Sequence, residues 1–153
     1  MSAIAEWRGV MTELEILLVE DNEDHAELTR RALEDGSVGN KVHWVKDGQE
    51  ALDFVFRKGQ YTEAARPGLI PLDIRLPKVN GVDVLKAIKA DEHLRVIPVI
   101  MLTTSDRDEE ALRCYSVGAN SFITKPVRFD EFFEKVRTLK FYWLLTNRGP
   151  KPD

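Results

Sequence analysis

The chain has 153 residues, is 43% apolar and 31% charged, and carries a formal net charge of −4. That length favours one domain with a full hydrophobic core, and the acidic balance argues against a nucleic-acid footprint. Cys114 is the only cysteine, which excludes an internal disulfide or a Cys-rich metal cage, and no run of 18 apolar residues is present to span a membrane. Met1 to Val10 lacks the charged start and apolar stretch of a signal peptide, so a reducing, cytoplasmic setting is expected.

Residues 1–12 read as a disordered lead, with Met11 a possible alternative start directly before the first strand. From there, short apolar runs alternate with longer amphipathic segments. Strands are expected at Glu15–Val19, Lys41–Val45, Leu69–Leu72, Ile97–Leu102 and Ser121–Ile123. Helices are expected at Asp24–Glu34, Gln49–Lys58, Val82–Lys89, Asp106–Val117 and Phe129–Leu145. This fivefold β-then-α alternation is the signature of an open parallel sheet covered on both faces. The nearly continuous Ile, Leu and Val of the strands agree, because such a sheet is buried on both sides.

Boundary residues support the pattern. Asn80-Gly81 gives a tight turn into the third helix. Ser105 to Asp108 resembles a capping box with Asp in place of Glu. Gly118 suits the left-handed position after the fourth helix. Gly59 to Gly68 forms a long polar loop, and no room is expected for a second domain after Leu145.

Four strand ends carry chemistry. The first closes on Glu20 and Asp21, the third on Asp73, the fourth on Thr103 and the fifth on Lys125. In a parallel α/β sheet these ends lie on one edge, where such folds place their ligand. Three carboxylates, a hydroxyl and an amine there suit a divalent cation and a phosphoryl group. A carboxylate can be a nucleophile and form an aspartyl phosphate. Glu20 and Asp21 offer hard oxygens to Mg²⁺, Thr103 a hydrogen bond and Lys125 a positive charge. Each residue alone also has an ordinary role: an acid near a helix start, a turn aspartate, a strand-end hydroxyl, a loop lysine. Glu23 and Asp24 fit the first of these.

These residues resemble the receiver domains of two-component response regulators. The resemblance covers about residues 13–140 and rests on four motifs, Leu18–Asn22, Leu72–Gly81, Ile97–Ser105 and Gly118–Pro126. It implies a flavodoxin-like (βα)5 fold with strand order 2-1-3-4-5. It also implies Asp73 as phosphoacceptor, Glu20 and Asp21 as metal-site acids, and the Arg75 backbone carbonyl as a further Mg²⁺ ligand. Thr103 and Lys125 would be the switch pair, Phe122 the aromatic switch residue, and Lys125-Pro126 a cis peptide. The implied function is a single-domain regulator that accepts a phosphoryl group from a sensor histidine kinase and signals through altered protein contacts. It would not be an enzyme beyond its own phosphorylation and dephosphorylation. The Gly59–Gly68 loop, Leu102–Asp106 and the aromatic extension around Trp143 are similar to regulators paired with phytochrome-type kinases.

Two departures stand next to the nucleophile. Pro71 replaces the usual apolar residue of the third strand, and proline cannot donate to a ladder. Local distortion is expected there, with Pro71→Leu raising stability. Arg75 stands where the subgroup usually has Asn.

Two other readings compete. A haloacid-dehalogenase-type phosphatase also uses a strand-end Asp, but normally has a second Asp two residues on, where this chain has Arg75. A pseudo-receiver would bind partners without phosphorylation. No Gly-x-x-x-x-Gly-Lys-Ser/Thr motif is present to form a P-loop. His25, His43 and His93 do not cluster by spacing, and Cys114 reads as a packing residue. Finally, Phe141 to Leu145 places five bulky residues in a row, too many for one helix face. A homodimer through the C-terminal helix is the expectation, the residues of 141–153 forming an aromatic extension and polar tail.

Overall fold

The computed structural model of the protein describes residues 15–35, 42–104, 109–136 and 138. Strands β1 (Ile16–Val19), β2 (Val42–Val45), β3 (Ile70–Asp73), β4 (Val99–Thr103) and β5 (Ser121–Thr124) form one sheet. Between them run helices α1 (Glu23–Asp35), α2 (Gly48–Val55), α3 (Gly81–Ala90) and α4 (Glu109–Val117), and α5 covers residues 129–136. Every strand pairing is parallel and the order is β2-β1-β3-β4-β5, the flavodoxin-like arrangement that the sequence pattern and resemblance lead one to expect.

Side chains alternate across the sheet, as the two-residue period of a strand requires. Leu17, Val19, Ile70, Leu72, Val99 and Met101 face α2, α3 and α4. Ile16, Leu18, Ile100, Leu102 and Ile123 face α1 and α5, where Phe132 and Val136 are buried. Both faces are covered, which is why the strands read as unbroken apolar runs.

Helix ends show where local sequence signals succeed and fail. After α4, Gly118 takes φ 121, its N–H reaches the Tyr115 carbonyl, and the Ala119 N–H reaches the Cys114 carbonyl at 2.9 Å. This is the expected glycine-terminated Schellman motif. Helix α2 ends in the same motif, with Lys58 N–H on the Asp53 carbonyl at 2.8 Å, but Arg57 fills the left-handed position at φ 55. Without a glycine to mark it, this end comes three residues earlier than the expected Lys58. Asp47 caps the start of α2, its side chain accepting from the Glu50 N–H. Part of the polar loop forms a 3-10 turn at Gly59–Tyr61. The capping-box segment at 105–108 and the aromatic extension, with the dimer contact assigned to it, lie outside the described residues.

Pro71 lies buried in β3, an interior strand. On the β4 side its register is intact, opposite Ile100. The Ile70 N–H points to that side, onto the Pro98 carbonyl, so the alternation of a strand turns the Pro71 nitrogen towards β1. There the ladder is broken. Ile16 bridges Leu69 and Val19 pairs with Leu72, but the two positions between are unpaired. The missing donor falls where the sequence puts it.

Lys89, at the end of α3, folds its ammonium into the sheet's opposite end. It donates to the Arg95 carbonyl at 3.1 Å, the Ile97 carbonyl at 2.8 Å and Asn120 Oδ1 at 3.2 Å. Asn120 Oδ1 also accepts from the Val99 N–H, so the lysine ties together the approaches to β4 and β5. Burial pushes the ammonium down to about 8 from the ordinary 10.5.

Two measurements follow from these features. Pro71→Leu, or the smaller Pro71→Val, restores a donor worth about 0.5–1.5 kcal/mol, offset by about 0.4–1 kcal/mol of added unfolded-chain entropy. A small rise in melting temperature is expected, and unchanged or lower values for both variants would contradict the account. Between pH 8 and 10.5, Lys89 is neutral in the folded state and protonated in the unfolded state. The unfolded state then binds more protons, so this residue makes stability rise with pH across that window. Lys89→Met should lack this rise in denaturant titrations; parallel pH profiles for the two proteins would refute it.

Candidate phosphoryl and metal site

The carboxyl ends of β1, β3, β4 and β5 open into one cavity of about 210 Å³, lined by Glu20, Asp21, Asn22, His25, Asp73, Ile74, Arg75, Thr103, Thr104 and Lys125. All five reacting residues expected from the strand ends are gathered there. Glu20, Asp73 and Thr103 are buried and Asp21 is exposed. Thr103 and Lys125 are fixed on adjacent chain segments, the Lys125 N–H donating to the Thr103 carbonyl at 2.7 Å. The Lys125–Pro126 peptide is cis, as the resemblance implies.

The Lys125 ammonium is the hub. It donates to Glu20 Oε1 at 2.9 Å, His25 Nδ1 at 3.1 Å and Asp73 Oδ2 at 3.3 Å. Burial pushes the Glu20 carboxyl up to about 7; the Lys125 hydrogen bond opposes this and the Asp73 charge adds to it. Burial alone would lower the Lys125 ammonium. Its hydrogen bond to Glu20 and the charge of Asp73 outweigh that and hold it above the ordinary lysine value.

Carboxylate oxygens of Glu20, Asp21 and Asp73 lie within 4.8 Å of one another. Three acids face one ammonium, and burial, with the Asp73 charge adding to it, already resists ionisation of Glu20, the most buried acid. A compact cluster of hard oxygen donors with excess negative charge fits a divalent cation. The Arg75 N–H points at Asp73 Oδ1 at 3.4 Å, while its side chain is exposed at the cavity wall.

Close packing holds this edge in place. A Cβ at Gly81 would lie 2.2 Å from the Asp73 carbonyl oxygen, so the first residue of α3 must be glycine for the helix to press on the β3 end. The sequence suggested a tight turn at Asn80-Gly81; instead Asn80 caps α3 by accepting from the Val82 N–H, and Gly81 serves close approach. A Cβ at Gly48 would lie 1.9 Å from the Val79 oxygen. Between these contacts, Lys78 at φ 68 with Val79 N–H on the Pro77 carbonyl forms a γ-turn. From the sheet edge, the Trp44 indole N–H donates to the Glu20 carbonyl at 2.8 Å.

Phe122 does not reach the cavity. It is half-buried on β5, its ring 4.3 Å from that of Tyr115 on α4. His25, expected to be structural, does reach it. The three histidines are indeed apart, but spacing between histidines was the wrong signal. The informative one was the place of His25 in the first turn of the helix that follows the acidic pair. Trp44 and Gly48 carried no sequence signal, since their contacts are to residues far along the chain.

Among the described residues no helix is long and apolar enough to cross a membrane. The model of the response regulator receiver domain matches residues 16–137. The probable methanogenesis regulatory protein FilR2 of Methanothrix harundinacea (strain 6Ac) is 44% identical over 137 residues, covering 90% of this chain and 88% of that protein. Among solved structures, the bacteriophytochrome response regulator AtBRR is 44% identical with a TM-score of 0.77, covering 88% of this chain and 99% of its own. The phosphorylated cyanobacterial phytochrome response regulator RcpA is 36% identical with a TM-score of 0.72, covering 92% and 99%. With matching fold, matching family model and relatives covered over nearly their whole length, the chain belongs to the response regulator receiver domains of two-component signalling.

Proposed function

We infer that this protein is a stand-alone regulator that takes a phosphoryl group onto Asp73 from a phosphohistidine of a sensor kinase, in a Mg²⁺-dependent reaction. The observation that carries this reading is the three-way contact of Lys125, Glu20 and Asp73 in a cavity that also holds Asp21 and Thr103. An Asp73 carboxylate oxygen forms the new P–O bond as the donor's P–N bond breaks. The electron pair stays on the imidazole nitrogen, which takes up a proton. Glu20, Asp21 and Asp73, with the Arg75 carbonyl, would hold the cation, whose charge neutralises oxygens of the transferring group. Lys125 supplies a fixed positive charge and Thr103 a hydroxyl donor on the same group.

Arg75 occupies the place two residues after Asp73 where a phosphatase of the haloacid-dehalogenase type has its general-acid Asp. This favours a phosphoacceptor over a phosphatase. The output is a changed protein contact, with Thr103 and Phe122 as the moving pair and Tyr115 as the neighbour that would register a shift of Phe122. The likeness to AtBRR and RcpA favours a phytochrome-type kinase as partner, whereas FilR2 is named for methanogenesis. The sequence expectations of cytoplasmic location and a C-terminal homodimer belong to this reading but rest on no described residue.

Acetyl phosphate with Mg²⁺ should add one phosphoryl group per chain by intact mass. Asp73→Asn should abolish the adduct, and Asp21→Asn should weaken Mg²⁺ binding in calorimetry about tenfold or more, since a ligand charge is lost. Equal labelling of Asp73→Asn would reject the assignment.

A further inference from the structure

The third partner of Lys125 is unexplained by the transfer itself. His25 stands in the first turn of α1, and its ring is 41% exposed, so core burial does not hold it in place. An ammonium only donates hydrogen bonds, so His25 Nδ1 must be the acceptor and the ring proton sits on Nε2. The contact is therefore specific to one tautomer and one ring orientation.

That orientation is built from the backbone up. The Asn22 N–H donates to Glu20 Oε2 at 3.2 Å. Asn22 Oδ1 in turn accepts the His25 N–H at 3.0 Å, capping α1 and fixing the His25 main chain. His25 Nδ1 accepts from Lys125, and Lys125 returns to Glu20 Oε1. Four residues close a ring of hydrogen bonds, with Glu20 bound through both carboxylate oxygens. Two of the three ammonium hydrogens are thus committed to groups other than the nucleophile. Only the third, on the longest of the three bonds, points at Asp73.

We propose that His25 is a positioning residue for phosphoryl transfer. With Glu20 it anchors the Lys125 ammonium through two hydrogens, and leaves the third free to pass from the Asp73 carboxylate to an incoming phosphoryl oxygen. Without His25 the flexible lysine stem is held at one point rather than two, and the ammonium settles onto the carboxylates instead of facing the donor. This rests on the phosphoacceptor reading above for its consequence, but not for the contact.

Three substitutions test it. His25→Leu keeps bulk and removes the acceptor. His25→Asn places an amide oxygen where Nδ1 stands, and His25→Gln sets its oxygen one bond further out. The first readout needs neither metal nor donor: the Lys125 ammonium resonance in ¹H–¹⁵N spectra of the full chain. It should shift and broaden in His25→Leu and His25→Gln, and stay near the wild-type position in His25→Asn. The second is the rate of acetyl phosphate labelling with saturating Mg²⁺. It should fall about tenfold in His25→Leu, as expected for losing one hydrogen bond to a charged group, and recover to within about twofold in His25→Asn. An unmoved ammonium resonance in His25→Leu, or equal labelling rates for wild type and His25→Leu, would overturn the proposal, as would failure of His25→Asn to recover. If wild type itself takes no label, the phosphoacceptor reading fails while the resonance still judges the contact.

Discussion

The Lys125 ammonium sits against two buried carboxylates where parallel strands end, and the rest of the edge is arranged around it. Glu20 and Asp73 come from β1 and β3, strands that lie side by side. Their repulsion, in a place from which water is largely excluded, would oppose folding. Lys125 pairs with both carboxylates, and removing one partner of a buried ion pair typically costs about 3–5 kcal/mol because the other charge is left uncompensated. Lys125 opposes the rise of the Glu20 carboxyl, but burial and, after it, the Asp73 charge outweigh it. Three carboxylates beside one ammonium leave the edge with excess negative charge, which suits a divalent cation.

The sheet makes this arrangement possible at modest cost. Both faces are covered by helices, so the central strands β1, β3 and β4 can be apolar up to their carboxyl ends. Polar chemistry is confined to the ends, where backbone and side chains meet the cavity. Close approach of backbone to backbone also holds the edge. Gly81 lets α3 press on the Asp73 carbonyl, and Gly48 lets α2 press on the loop that follows it. A cavity wall made of backbone in contact with backbone has little room to shift, which suits a site whose work is positioning.

Two features run against simple stability. Pro71 interrupts the β1–β3 ladder two residues before Asp73, and Lys89 buries an ammonium among neutral acceptors. The first leaves β3 bound mainly through β4 along its middle. The second joins the loops before β4 and β5 at the end remote from the cavity. Neither lines the cavity, so both bear on how firmly the strands are held.

The alternation of apolar strands and amphipathic helices, the acids at Glu20, Asp21 and Asp73, and the donors at Thr103 and Lys125 were all legible in the sequence. Periodicity and strand ends are local properties, and a parallel sheet converts them directly into one shared edge. The break at Pro71 was legible for the same reason, since a missing N–H is a property of the residue itself. What local sequence could not decide was every contact between distant segments. The end of α2 comes before the expected Lys58 with no glycine to mark it, because Arg57 takes the left-handed position in the turn it completes. Gly81 and Gly48 owe their identity to carbonyls that only the packed loops bring within reach. Trp44 and His25 acquire partners 24 and 100 residues away. The residue types set which chemistry was available; tertiary packing decided which atoms of those residues meet.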